Sequence, residues 1–157
     1  MKKIILLLLT LSLALFGANQ IKDGSSLKVL NGFKYETPKG RQMKIPKKSQ
    51  LIIVAFEKDT GKLVNEYLNT KDQFYLVKKH GIFIADINKM PSIITKMFAL
   101  PKLRKYKHPI YLHFDEEFQN VVPHKEEEIT IIRVVDQKIT DISFIKTTQE
   151  LQAAIEK

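Results

Sequence analysis

The chain has 157 residues, no cysteine, no tryptophan and a formal net charge of +9. Without cysteine it can form no disulfide, and every activity that needs a thiol is excluded. The length suits a single domain with a substantial core. The positive charge favours acidic proteins or anionic lipid as partners, although many exported proteins are simply basic.

The first residues, MKKIILLLLTLSLALFGANQ, have the pattern of a secretory signal. Lysines precede an apolar run from Ile4 to Phe16 that is short for a bilayer span. We expect cleavage near Ala18, so that residues 1–18 are the signal peptide and residues 19–157 a single periplasmic domain. Phe16 stands where a small residue is usual, and an uncleaved anchor is therefore the alternative.

The domain should begin with a hairpin, FKYETPKGRQMKI, because polar and apolar residues alternate on both sides of a turn at 38–40. The next stretch, LIIVAF (51–56), is a continuous apolar run typical of a strand buried on both faces of a parallel sheet. A helix should follow, with Asp59 or Thr60 as its N-cap. After a second helical stretch, DQFYLVKKH, the sequence IFIADI (82–87) predicts another buried strand.

Pro91 fits the start of a further helix, and Pro101 should stop or kink it. Helical spacing gives this helix one apolar face: Ile93, Ile94, Met97 and Phe98.

A short strand should come after Pro109, with Ile110 and Leu112 on one face and His113 on the other. The stretch EEEITIIRVVDQKITDISFI predicts two strands that turn near residues 136–137 and form a more exposed edge. The chain should close with a helix, TTQELQAAIEK, which has a capping box at its start.

This order of elements resembles the thioredoxin-like fold. LIIVAFEKDTGKLV resembles the family's first core strand and active-site helix, IFIADINKMPSIITKMF its next strand and helix, and HPIYLHF its cis-proline strand. The hairpin resembles the N-terminal addition of the peroxiredoxin and periplasmic thiol-disulfide oxidoreductase branch. Over about residues 31–157, the resemblance implies an α/β domain with a central mixed β-sheet flanked by helices and an N-terminal β-hairpin.

The resemblance places the family's redox motif near KDTGK, where this chain has Asp59, Thr60 and Gly61 in place of cysteines. No nucleophile for disulfide exchange or peroxide reduction is left. It also implies that Pro109 is a cis-proline. In the family, substrate chains lie against that loop, so the implied binding groove consists of Asp59, Thr60, Gly61, His108 and Pro109.

The sequence around Pro109 is unusually basic. No acid occurs from Ile87 to Phe114, whereas six cations do: Lys89, Lys96, Lys102, Arg104, Lys105 and Lys107. The last four should form a basic rim beside the groove, at a place where the chain is longer than the family's loop. A solvated lysine face that keeps the protein soluble is the plainer interpretation.

These observations predict an exported, non-catalytic binding module for a periplasmic protein or peptide, with acidic partners favoured. One alternative is a peripheral membrane protein that uses the basic segment 89–107. Another is a cysteine-independent enzyme or metal-binding protein using Asp59, His108 and His113. In an extended strand the side chains of the two histidines would point to opposite faces, so a shared metal site would need a bend at Pro109. We expect no cofactor, no metal and no nucleic-acid partner.

Overall fold

The computed structural model describes residues 19–157, and the expected signal peptide lies outside them. The strands are β1 (Tyr35–Glu36), β2 (Gln42–Met43), β3 (Leu51–Ala55), β4 (Gly81–Asp86), β5 (Tyr111–His113), β6 (Ile129–Val135) and β7 (Lys138–Ile145). The helices are α1 (Lys28–Asn31), α2 (Lys58–Asn69), α3 (Tyr75–Lys78), α4 (Ser92–Ile94), α5 (Leu100–Leu103), α6 (Glu117–Val121) and α7 (Thr148–Glu156). A π-helical turn (Thr95–Ala99) joins α4 to α5, and we call the whole the 92–103 helix.

The strands form one mixed seven-stranded sheet in the order β2-β1-β5-β4-β3-β6-β7. β3, β4 and β5 are parallel to one another, whereas β6 runs antiparallel to β3. The carboxyl ends of β3, β4 and β5 therefore lie at the same edge of the sheet. The predicted mixed sheet with its N-terminal hairpin is confirmed, although β1 and β2 are shorter than the alternating sequence suggested.

Each face of the sheet carries its own core, because every residue of β3 and β4 is buried. On one face, Ile52, Val54 and Ile84 pack with α1, α6 and the hairpin. On the other, side chains such as Ile53 and Phe83 pack with α2, α3 and α7. The continuous apolar runs in the sequence are thus explained by strands covered on both faces.

The N-cap of α2 differs from the sequence prediction. Glu57 is the cap residue, and its N–H donates a hydrogen bond to Thr60 Oγ1 at 3.3 Å. Asp59 and Thr60 therefore stand inside the first turn. The helix begins earlier because Thr60, at the third helical position, already satisfies the backbone of Glu57.

The 92–103 helix forms where the sequence predicted it, but the residues of its predicted apolar face are exposed: Ile93, Ile94, Met97 and Phe98. Thr95 is buried, and its Oγ1 donates to Pro91 O at 3.1 Å. In the π-helical turn, Leu100 N–H donates to Thr95 O. Pro101 does not end the helix, and it directly follows the π-helical turn and Leu100.

The cis-proline prediction is wrong. No peptide bond within residues 19–157 is cis, so Pro109 has the ordinary trans bond. The strand after it, β5, pairs in parallel with β4 and is separated from β3 by that strand. The antiparallel neighbour of β3 is β6.

The remaining predictions of the C-terminal half are confirmed. Asp136 and Gln137 form a two-residue turn between β6 and β7 with φ of 49° and 64°. Thr147 and Glu150 form the capping box of α7. None of the helices in residues 19–157 combines the length and the apolar character that crossing a membrane would take.

The turn between β6 and β7 gives a direct test of the fold. Gln137 has φ of 64°, a conformation that glycine adopts without the steric cost borne by other residues. We expect Gln137→Gly to raise the free energy of unfolding by about 0.5–1 kcal/mol in urea denaturation. The control is Gln152→Gly in α7, which should lower it by a similar amount, about 0.5–1 kcal/mol, because helical glycine is unfavourable. Destabilisation by both changes would contradict the assigned turn.

Candidate functional site

The carboxyl ends of parallel strands are where open α/β sheets bind their ligands. Here that edge carries the start of α2 after β3, and the segment after β4 that leads into the 92–103 helix. The implied groove residues Asp59, Thr60 and Gly61 lie in the first turns of α2.

The first turn of α2 is occupied by its own hydrogen bonds. Glu57 Oε1 accepts the N–H of Glu127 at 3.0 Å, which joins the helix start to the loop before β6. Thr60 is buried, and its Oγ1 lies 3.0 Å from Glu57 O, to which it can donate. Asp59 is exposed. The position that the resemblance gives to a redox centre is therefore a satisfied helix start.

His108 is joined to α2 by a buried polar chain. Its Nε2 lies 2.9 Å from Asn65 Oδ1, and Asn65 Nδ2 donates to Gly61 O at 2.9 Å. Since the Asn65 oxygen can only accept, the proton is on Nε2 of a neutral ring. Burial lowers the pKa of His108 to about 4. The structure thus links Gly61 with His108, but through a buried contact in which His108 is only 6% exposed.

His113 is a core histidine on the opposite face of the sheet. Its Nδ1 lies 3.0 Å from Lys34 O, and its Nε2 accepts the N–H of Asp115 at 3.2 Å. The ring packs against Phe118, with 4.6 Å between centroids. His108 and His113 therefore cannot act on one substrate with Asp59. Within residues 19–157 there is also no group of three His, Cys, Asp or Glu side chains that could hold a metal ion.

Asp86, a buried residue at the end of β4, has no counterpart among the site residues predicted from the sequence. Its oxygens accept from Asn88, from the backbone N–H at 3.2 Å and from Nδ2 at 2.6 Å. Burial raises its pKa above the usual range. Because Asn88 follows two residues later, these hydrogen bonds hold the turn that leads from β4 towards the 92–103 helix.

The 92–103 helix exposes four large apolar side chains, which we call the apolar patch. Their exposed fractions are 66% for Ile93, 44% for Ile94, 65% for Met97 and 62% for Phe98. Residues at this spacing are neighbours on a helix surface. Monomeric soluble proteins seldom expose a cluster of this kind without using it. Helical spacing in the sequence identified this face, and the structure shows that it is exposed.

The basic rim lies next to the apolar patch along the chain. Its four members are exposed: Lys102, Arg104, Lys105 and Lys107, while Pro109 is half-buried. Arg104 Nε donates to Pro38 O at 2.9 Å and so fixes the hairpin turn against the rim. This contact brings the exposed Lys39 and Arg41 to the same side. The ion pairs found among residues 19–157 involve other cations: Lys62, Lys78, Lys79 and Lys146.

Comparison with known proteins gives the fold. No protein-family model matches the chain. No curated protein matches it either. Peroxiredoxin Q of Xanthomonas campestris superposes with a TM-score of 0.53 and 14% identity, over 87% of this chain and 95% of its own. A candidate protein disulfide isomerase of Bacteroides thetaiotaomicron superposes with a TM-score of 0.51 and 13% identity, over 86% of this chain and 84% of its own. At such identities the likeness shows the fold alone, and the predicted thioredoxin-like fold is confirmed.

The buried His108 makes stability depend on pH. The unfolded chain binds a proton below about pH 6.5 that the native protein binds only near pH 4. As the pH is lowered from about 6.5 to about 4, the free energy of unfolding should therefore fall by at most about 3 kcal/mol. We expect urea unfolding of the wild-type protein to show this loss of stability. His108→Gln keeps a donor for Asn65 but has no ionisable ring, so it should lack the part of the loss that is due to His108. Neutral pH, where the ring is uncharged in both states, is the reference. Equal pH dependence in the two proteins would contradict the assigned environment.

Proposed function

We propose that this cysteine-free chain of thioredoxin-like fold is an exported, non-catalytic binding module. Its binding surface consists of the apolar patch on the 92–103 helix together with the basic rim. The expected signal peptide would deliver the domain to the periplasm. For the ligand, the prediction of a periplasmic protein or peptide stays open, and acidic partners suit the cations of the rim.

The exposed apolar patch is the observation that carries this proposal. Fully burying one Ile, Met or Phe side chain contributes about 1.5–3 kcal/mol, so four half-exposed side chains leave several kcal/mol available for binding. Aromatic residues and methionine are also the types enriched at protein interfaces. A partner that covers the patch would recover this free energy.

A non-catalytic role is supported by the state of the groups that could do chemistry. No thiol exists in the chain, and the first turn of α2 is hydrogen-bonded to its own backbone and to Glu127. His108 and His113 are buried on opposite faces. Of the groove residues implied by the resemblance, Thr60 and His108 have little surface left for a ligand. We therefore propose that binding takes place on the 92–103 helix, with Asp59 and Pro109 at most at its margin.

Removing the apolar patch should abolish binding without affecting folding. The triple variant carries Ile93→Ser, Met97→Ser and Phe98→Ser. We expect it not to retain the ligand that the wild-type protein retains from a cell-envelope extract. Because these side chains are exposed, each change should alter the free energy of unfolding by no more than about 0.5 kcal/mol.

The matched control is Phe74→Ser with Val77→Ser, two exposed apolar residues near α3 whose exposed fractions are 52% and 48%. This variant should retain the ligand. Equal retention by the patch variant and the control would reject the proposed surface.

Reversing the charge of the rim should weaken binding. We expect Lys102→Glu, Lys105→Glu and Lys107→Glu together to lose an acidic ligand, as measured by retention at low and high salt. Arg104 stays unchanged because it holds the hairpin turn.

The control carries the same change of net charge in or beside β7, the opposite edge strand of the sheet, at three exposed lysines: Lys22→Glu, Lys28→Glu and Lys138→Glu. If it loses the ligand to the same extent, the attraction is due to net charge alone and the rim has no specific role.

A further inference from the structure

We infer that the ligand of the apolar patch is the surface of an anionic lipid bilayer, into which the 92–103 helix inserts its exposed apolar side chains. This inference rests on the proposed function, because it names the ligand of the same surface. The observations that carry it are the direction of the side chains, the hydrogen bonding of the helix and the charge around it.

The 92–103 helix is turned so that the hydroxyl of Thr95 lies inside the protein. Thr95, the uncharged polar residue between Ile93 and Phe98, is 6% exposed and donates to Pro91 O. Leu100 and Leu103 pack against the core and fix the helix to the domain. Between Ile93 and Phe98, the exposed side chains are the four of the apolar patch and Lys96. An interfacial helix needs this arrangement, because unsatisfied polar groups are costly in lipid.

A bilayer needs no concave site, and the patch lies on a helix that is exposed along its length. The two clefts described in residues 19–157 have other linings, one including His80 and Arg133 and the other Lys62 and Gln152. A peptide partner that docks as a helix would instead use a groove, and neither of these two clefts is lined by a residue of the patch.

The charges around the patch suit anionic headgroups. Lys96 lies within the helix, Lys89 before it and Lys102 at its end, and all three are exposed. Long cationic side chains beside an inserted apolar face can reach the headgroups while their stems lie along the apolar layer. Exposed acids begin again only at Asp115, where the acid-free stretch ends. The apolar contact and the cations thus favour the same ligand.

The absence of tryptophan from the chain allows a test at a single position. Phe98→Trp places the only indole in the patch, and Phe74→Trp places it at an exposed site near α3 for comparison. Both full-length variants are mixed with vesicles of phosphatidylglycerol or of phosphatidylcholine, and the emission maximum and its quenching by brominated lipid are measured. Any binding through residues 1–18 is common to both variants, so the difference between the two positions reports on the patch.

We expect the Phe98→Trp emission to shift to the blue and to be quenched on phosphatidylglycerol vesicles only. The Phe74→Trp emission should remain that of an exposed indole. Adding Lys89→Glu, Lys96→Glu and Lys102→Glu to Phe98→Trp should weaken vesicle binding by about tenfold or more. An unchanged Phe98→Trp emission, an equal shift on neutral vesicles, or an equal shift at both positions would overturn the inference.

The failure of this inference can be told apart from the failure of the proposed function. If Phe98→Trp ignores lipid, and the Ser variant of the patch still loses a protein that the wild type retains, the ligand is a protein and the lipid inference is rejected alone. If the Ser variant of the patch binds lipid and protein as well as the wild type does, the lipid inference and the proposed binding surface are both rejected.

Discussion

The burial of β3 on both faces and along both edges is the constraint on which the rest of the structure depends. The strand pairs in parallel with β4, from Leu51 opposite Gly81 to Ala55 opposite Ala85, and antiparallel with β6 on its other side. Its carboxyl end can therefore not shift, and α2 must begin directly beyond it. The loop that enters β6 must pass the same point, which is why Glu127 meets Glu57 there. The place of the candidate site follows from this pairing.

The structure shows which groups stand at that place in this chain. Thr60 turns its hydroxyl back onto Glu57, and a buried polar chain runs from Gly61 through Asn65 to His108. These contacts satisfy groups that would otherwise be unpaired, and buried polar groups left unpaired are destabilising. The region is thus part of the scaffold. Its hydrogen bonds help to hold α2 on the sheet, whereas the proposed binding surface lies on the 92–103 helix.

The sequence predicts well those parts of the fold whose signal is local. The apolar runs of β3 and β4, the turn at residues 136–137 and the capping box of α7 each depend on adjacent residues. It fails where the outcome depends on distant parts of the chain. Helical spacing indicated that Ile93 and Met97 share a face, but not that α2, α3 and α7 already cover that side of the sheet. The isomer of Pro109 came from the resemblance alone, and the strand order that gives β3 a different neighbour is a property of the whole sheet.

The same reasoning explains why the proposed binding surface depends on the three-dimensional structure. Its cations come from separate parts of the chain, since the bond from Arg104 to Pro38 brings the hairpin turn to the rim. Its apolar part depends on the direction in which the 92–103 helix is turned. An ordinary surface helix buries its large apolar residues and exposes its polar ones. Here Thr95 is inside and Phe98 outside, so the usual arrangement is reversed over the patch. A helix held in this orientation by Leu100 and Leu103 offers apolar surface that the domain itself does not cover.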